Sequence, residues 1–209
     1  GNGQFAFSRG IAADATGNVY VADRSSNRVH KFSSDGSYVA TLVNSRLVMP
    51  NNLAIDAKGN LYVSDEQHRI LKFSVDGTYI GTWGSEGSAQ GQFGHPEGIA
   101  VDANGNVYVA DSHNNRIQKF ASLTISSISP GKGLAGSTVT INGSGFSPVP
   151  AENVVKINGT NASITSATKT SLLVTVPATA TTGKISVARE TTTTVSDNFT
   201  IDESDKFVI

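Results

Sequence analysis

Ile11 to Phe32 reads IAADATGNVYVADRSSNRVHKF, Leu53 to Phe73 reads LAIDAKGNLYVSDEQHRILKF, and Ile99 to Phe120 reads IAVDANGNVYVADSHNNRIQKF. Asp14, Asp56 and Asp102 hold the same place in the three segments, at steps of 42 and 46 residues. A fixed period of that size marks a repeat architecture, in which each unit buries its apolar surface against its neighbours. Two further matched pieces, SSDGSYVATL (33–42) and SVDGTYIGTW (74–83), follow the first and second copies.

Working outward, each unit carries short apolar runs separated by turn signals. The first run ends in D-A-x-G-N, where the Asp side chain can bond the backbone two residues on and Gly17, Gly59 and Gly105 supply a positive φ. The second, VYVAD or LYVSD, is apolar at consecutive positions, as expected of a strand covered on both faces. The third runs from Arg28 to Phe32 and its counterparts. Asp35-Gly36 and Asp76-Gly77 then turn the chain into a fourth run, YVATL or YIGTW, a strong hairpin signal. Four antiparallel strands in forty-odd residues make the blade of a β-propeller, and Ala12, Ala54 and Ala100 suit an innermost strand where blades converge. The repeats are expected near 11–43, 53–84 and 99–120.

These residues resemble NHL repeats: G-I-A-V-D, G-N-x-Y-V-A-D, N-R-I-x-x-F and an aromatic outer strand. The linkers GNGQF (1–5) and QGQF (90–93) are similar to that family's inter-repeat segment. The resemblance covers about residues 1–121 and implies a six-bladed ring, which three blades, the third without its outer strand, do not close. Either further blades stand upstream of Gly1, or two copies of the chain pair as a homodimer to complete the six-bladed ring. Residue 1 is Gly with no charged, apolar leader after it, so the chain is expected to start after a cleavage or inside a longer reading frame.

From about Leu123 the composition changes: Thr occurs 16 times in 123–209 against 4 in 1–122, and the period stops. Short strands with turns every 8–12 residues argue for a β-sandwich of immunoglobulin type. Pro130, the run Thr138–Phe146, Val176-Pro177 and Phe199–Ile201 resemble the features of an IPT/TIG domain over about 124–202. The fold expected is therefore all-β, with three blades of an NHL-type propeller in an incomplete ring (1–122) and a C-terminal immunoglobulin-like sandwich (123–209). Leu123–Ile128 is a candidate to pair with Arg116–Phe120 and cover the edge of the third blade.

Composition narrows the function. Lys+Arg of 16 against Asp+Glu of 17 gives net charge −1, with no basic run of the kind a nucleic-acid binder carries. No stretch of eighteen apolar residues suggests a membrane span. With no Cys, disulfide scaffolds, thiolate zinc sites and cysteine nucleophiles are excluded. D-A-N-G-N (102–106) lacks the distal Glu of a calcium loop and recurs as a hairpin turn. Asp23, Asp65 and Asp111, each followed by Arg28, Arg69 or Arg116, read as a repeated tie within the blade. His30 stands where Leu71 and Gln118 stand in the other copies and reads as surface variation. Asn142, Asn158, Asn161 and Asn198 begin N-x-[ST] sequons, which carry glycans only in a eukaryotic secreted protein.

The loops that vary between copies gather on one face, where binding residues tend to sit. Candidates there are Arg9, Arg24, Asn27, Asn51, Asn52, Glu66, His68, His95, Glu97, His113 and Asn114, with Arg9, Asn51, His95 and Glu97 nearest the axis. No catalytic residue, metal ligand or cofactor is assigned. The expected role is a non-catalytic, extracellular or cell-surface binding protein, bacterial in source. Its ligand is a protein, peptide or glycan on the propeller face, and the IPT/TIG domain acts as spacer. Resemblance to six-bladed lyases and lactonases that place metal ligands on the axis keeps an alternative open, a fragment of a metal-dependent enzyme of that type.

Overall fold

A computed structural model describes residues 3–43, 46–189 and 192–202. Residues 1–2 of the first linker, 44–45 of the linker 44–52, and 190–191 and 203–209 of the second expected domain lie outside the described residues. The chain divides into two compact units, Gly1–Phe120 and Ala121–Ile209.

In the first unit, β1 (Ser8–Ala13), β2 (Val19–Asp23), β3 (Arg28–Phe32) and β4 (Tyr38–Val43) form a four-stranded sheet in sequential order. A second sheet repeats the pattern with β5 (Asn52–Ile55), β6 (Leu61–Asp65), β7 (Arg69–Phe73) and β8 (Tyr79–Trp83). The third holds β9 (Pro96–Val101), β10 (Val107–Asp111) and β11 (Arg116–Phe120), without a fourth strand. All neighbours within these sheets run antiparallel.

The D-x-x-G-N turns hold each first hairpin by side-chain chemistry. Asp14 Oδ1 accepts the N–H groups of Thr16 and Asn18 at 2.9 and 3.0 Å, and Oδ2 accepts Asn18 Nδ2 and the Tyr20 hydroxyl at 2.9 and 3.0 Å. Asp56 gathers Lys58, Asn60 and Tyr62 in the same way, and Asp102 gathers Asn104, Asn106 and Tyr108. Burial pushes the Asp14 and Asp56 carboxyls up, but these donors outweigh it; all three aspartates sit below the usual carboxylate range. Gly17, Gly59 and Gly105 take φ of 84, 83 and 80°, which a side chain would resist.

β6 is buried along its whole length, as a strand covered on both faces must be. Tyr20, Ala22 and Val29 of the first sheet pack with Leu53, Leu61, Val63, Leu71 and Phe73 of the second. Tyr62 and Ile70 pack with Phe93, Val107 and Val109 of the third. The sheets thus stack face to face in series, with β1 beside β5 and β5 beside β9.

Asp23, Asp65 and Asp111 are fully buried and tie to Arg28, Arg69 and Arg116 at 3.5, 3.1 and 2.8 Å, as the repeated spacing implies. They also anchor the incoming linker. Asp23 accepts the N–H groups of Ala6 and Phe7, Asp65 that of Val48, and Asp111 that of Gly94. His30 corrects the sequence reading: it is 1% exposed rather than on the surface. Its ring lies edge-on to Phe5 and Tyr38, Nδ1 sits 3.2 Å from Thr41 Oγ1, and Nε2 lies 3.7 Å from Asp23. Its counterparts Leu71 and Gln118 are buried too, so the position faces inward in every copy, and the polar letters conceal a core site.

The second unit holds β12 (Thr124–Ser129), β13 (Lys132–Gly133), β14 (Thr138–Ser144), β15 (Val154–Ile157), β16 (Thr160–Ala167), β17 (Ser171–Thr175), β18 (Gly183–Arg189) and β19 (Thr192–Ile201). Their hydrogen-bonded order is β12-β14-β17-β16-β15-β18-β19-β13. Alternate residues point inward: Val139 and Ile141, Val155 and Ile157, Leu172 and Val174, Ile185 and Val187 form one core with Phe146 and Phe199. The first residues of β16 pair with β15 and the later ones with β17, so the sheet folds over at this strand and nearly closes, with β12 and β19 adjacent. β12 enters its ladder with β14, Thr124 opposite Ser144 and Ser129 opposite Thr140. This overturns the expectation that Leu123–Ile128 extends the third sheet. The T-V-T-I strand offers β12 a partner in its own unit, with Ile128 facing Ile141.

Candidate functional site

The inner strands of the three sheets present one equivalent position each at their N-terminal ends: Arg9, Asn51 and Glu97. The turn after β2 and its counterpart after β6 add Arg24 and Glu66, each directly following a buried aspartate. His95 comes from the linker entering β9. These side chains close a ring. Arg9 Nη1 donates to Asn51 Oδ1 at 2.8 Å, and Arg24 Nη1 donates to the same oxygen. Arg24 Nη2 pairs with Glu66 at 2.5 Å. Glu66 accepts His95 Nε2 at 3.0 and 3.1 Å, which fixes the proton on that nitrogen, since a carboxylate only accepts. His95 Nδ1 lies 3.6 Å from Glu97, and Glu97 lies 3.8 Å from Arg9 Nη2.

The ring is pinned from below by main-chain groups. Asn51, nearly buried, donates Nδ2 to the Pro96 carbonyl at 3.2 Å. Buried Ser64 donates to the Glu97 carbonyl at 3.1 Å, and Arg24 Nη1 also donates to the Met49 carbonyl at 3.3 Å. The two ends of the ring differ in exposure: Arg9 and Glu97 side chains stand 41 and 48% exposed, whereas His95 is at 17%. Burial pushes the Glu66 carboxyl up, but the Arg24 hydrogen bond and the His95 ring bring it below its ordinary value. Two guanidiniums face two carboxylates, so the cluster is close to electroneutral; donor alternates with acceptor from Arg9 to His95 Nε2, and Glu97 closes the circuit by charge at 3.6 and 3.8 Å, with no hydrogen bond to His95 Nδ1.

Other candidates divide. His113 joins the cluster by stacking, its ring 4.9 Å from that of His95. Asn27 holds a left-handed turn position at φ 53° and accepts the Met49 N–H at 2.7 Å, a structural duty. His68 occupies the equivalent left-handed position at φ 57°, as Asn115 does at 51°. Asn52 Oδ1 accepts the Leu53 N–H, and Asn114 bonds Asp111 and the Gly87 carbonyl; both serve the backbone. Ser64 and the Met49 carbonyl escaped the sequence reading. Met49 has φ 47°, a conformation a non-glycine residue seldom takes, and a residue that precedes a proline is expected to be extended. Among the described residues no group of three or more His, Cys, Asp or Glu is placed to hold a metal ion, and no helix is long and apolar enough to cross a membrane.

Comparison with known proteins agrees with this division of the chain. The family model for the NHL repeat matches residues 5–32 and 93–120, and that for the IPT/TIG domain matches residues 123–202. The chain therefore carries NHL repeats followed by a TIG domain; the middle copy is recognised by its sheet and its turn chemistry. No curated protein matches the chain. Among solved structures, an auxiliary nutrient binding protein from Bacteroides thetaiotaomicron VPI-5482 is 26% identical over 38% of this chain and 21% of its own, with TM-score 0.37. A calcium-binding protein, regucalcin, from Agrobacterium tumefaciens strain C58 is 14% identical over 50% of this chain and 38% of its own, at 0.39. A streptogramin B lyase is 15% identical over 96% of this chain and 71% of its own, at 0.46. The match thus spans about a fifth of the nutrient binding protein's length.

Proposed function

We propose that the chain is a non-catalytic binding protein. In this reading residues 1–122 form three blades of an NHL-type propeller whose axial face recognises a ligand, and residues 123–209 form an immunoglobulin-like spacer. The observation that carries it is the closed ring Arg9, Asn51, Arg24, Glu66, His95 and Glu97, drawn from all three sheets. Sites held by several rigid elements keep their geometry without the ligand, which lowers the ordering cost of binding. Because the charges already neutralise one another, the ring favours a neutral ligand rich in hydroxyl or amide groups, a glycan or a peptide segment, over a free anion or cation. Glu66 is held ionised by Arg24, which suits an acceptor better than a general acid, whose pKa would be raised. A bacterial cell surface or extracellular setting suits such a module.

The test is a thermal-shift panel of neutral oligosaccharides and uncharged peptides against the wild type, Glu66→Ala and Glu97→Ala. A compound that raises the wild-type Tm and loses at least ten-fold in affinity against both variants supports the reading. Binding that both variants leave intact, or no shift across the panel, overturns it. Multiple turnover of any panel compound would return the enzyme reading.

A further inference from the structure

The second and third repeats use the same arginine differently. In the third, Arg116 commits its guanidinium to the linker entering its sheet. Nη1 donates to the Ser88 carbonyl at 2.7 Å, Nη2 to those of Ala89 and Gln92 at 2.7 and 2.8 Å, and Nε to Asp111. Gln118 fills the same space, donating to the Gln92 carbonyl at 2.6 Å and accepting the Gly91 N–H at 2.9 Å. In the second repeat Arg69 holds Asp65 through Nε and Nη2, and Nη2 also donates to the Arg46 carbonyl at 2.7 Å, the tie that matches Gln92. Arg69 Nη1 has no partner among the described residues.

Linker length accounts for the difference. Gln92 stands nine residues after Trp83, whereas Arg46 stands four after Leu42, the residue matched to Trp83, so the second repeat has no counterpart of residues 88–89. What remains is a slot of about 350 Å³, within the size range of small-ligand sites, with Arg46, Gln67, Arg69, Leu71, Tyr79 and Thr82 in its lining. The Arg46 guanidinium lies over the Tyr79 ring, 4.5 Å from its centroid, which holds it at the slot. Among the described residues, Arg46 forms no ion pair, and the side chains of Arg46, Gln67 and Tyr79 form no hydrogen bond. Buried Asp65 balances the charge of Arg69. The slot is therefore left with one positive charge and several unused donors.

We propose that this slot captures the C-terminal carboxylate of a peptide, held between the Arg46 guanidinium and Arg69 Nη1. The third repeat shows what fits there, because peptide carbonyls occupy the equivalent guanidinium. In the second repeat a further guanidinium stands where the Gln92 side chain stands in the third, and its unbalanced charge calls for a monoanion in place of a neutral carbonyl. A carboxylate accepts from two guanidinium forks at once, and the Gln67 amide can both donate to and accept from the peptide group ahead of it. The slot shares no residue with the ring of Arg9, Asn51, Arg24, Glu66, His95 and Glu97, so it stands or falls apart from the ring's ligand.

The test is a nuclear magnetic resonance titration of the ¹⁵N-labelled chain with acetyl-Ser-Ala, which copies residues 88–89 with a free carboxylate, and with its C-terminal amide. The acid is expected to give saturable shifts at millimolar concentration, gathered at residues 46–48, 67–71 and 79–82. The amide, and the acid against Arg46→Ala, should bind roughly ten-fold more weakly or worse, as the loss of a charge-assisted hydrogen bond requires. Arg46 is exposed, so its variant should keep the wild-type spectrum outside the slot. Lys156→Ala removes an exposed positive charge from the second unit and should bind the acid as the wild type does. No saturable binding, shifts centred elsewhere, or equal binding of acid and amide overturns the proposal. Binding that survives Arg46→Ala, or that Lys156→Ala weakens as much, overturns it equally. Glucuronate binding as tightly as acetyl-Ser-Ala would overturn the assignment to a peptide.

Discussion

Tyr62 Oη donates to Asp56 Oδ2 at 3.0 Å, and the same bond recurs at Tyr20 and Tyr108. Removing it with Tyr62→Phe takes away one of the donors that hold the Asp56 carboxyl low, at a cost of about 1 kcal/mol. A carboxylate with depressed folded pKa contributes stability that is complete above the unfolded value, about 3.9, and lost as pH falls through the folded value. Denaturant unfolding should therefore separate Tyr62→Phe from wild type at pH 7 and bring the two together at the acid end; an equal gap at every pH would refute the linkage. His30 works with the opposite preference. Burial, with the Arg28 charge behind it, lowers its pKa, so below the ordinary histidine range the unfolded chain takes up a proton that the folded one resists. Stability should fall from pH 7 to pH 5, and His30→Leu, the residue found at the matching Leu71, should flatten that slope in thermal melts. The aspartate half of this chemistry was legible, because D-x-x-G-N recurs at a fixed period. The histidine was not: a polar residue at an apolar position reads as exposed unless the ring packing of Phe5 and Tyr38 is known.

At the scale of the strand, β1 and β5 approach at Gly10, where a Cβ would lie 2.6 Å from the Asn52 Cα and 2.8 Å from Asn52 Oδ1. The matching residue in β9, Gly98, would meet only the Ala110 Cβ at 3.4 Å. Gly10→Ala should therefore cost about 1–3 kcal/mol through forced separation of the two inner strands, whereas Gly98→Ala should change stability by a few tenths either way. Urea titration of the two variants decides it: equal losses would mean that the close approach at Gly10 is not what constrains the seam. Strand existence in the first unit was readable because each run is bounded by an Asp-anchored turn. The site was readable in part for the same reason, since loops that vary among uniform turns stand out. Pairing was less readable where the period stops. Leu123–Ile128 carries apolar letters that suit either the third sheet or Thr138–Ser144, and the register with Ile141, a long-range fact, decides for the latter.

For the whole molecule, two separate cores imply two separate unfolding events. Leu61 and Leu172 are both fully buried, the first in the seam of the opening sheets and the second in the core of the closing unit. Leu→Ala at either site removes about 2–5 kcal/mol. Calorimetry should resolve two transitions, with Leu61→Ala lowering one and Leu172→Ala the other; a single peak shifted by both would mean that the units unfold together.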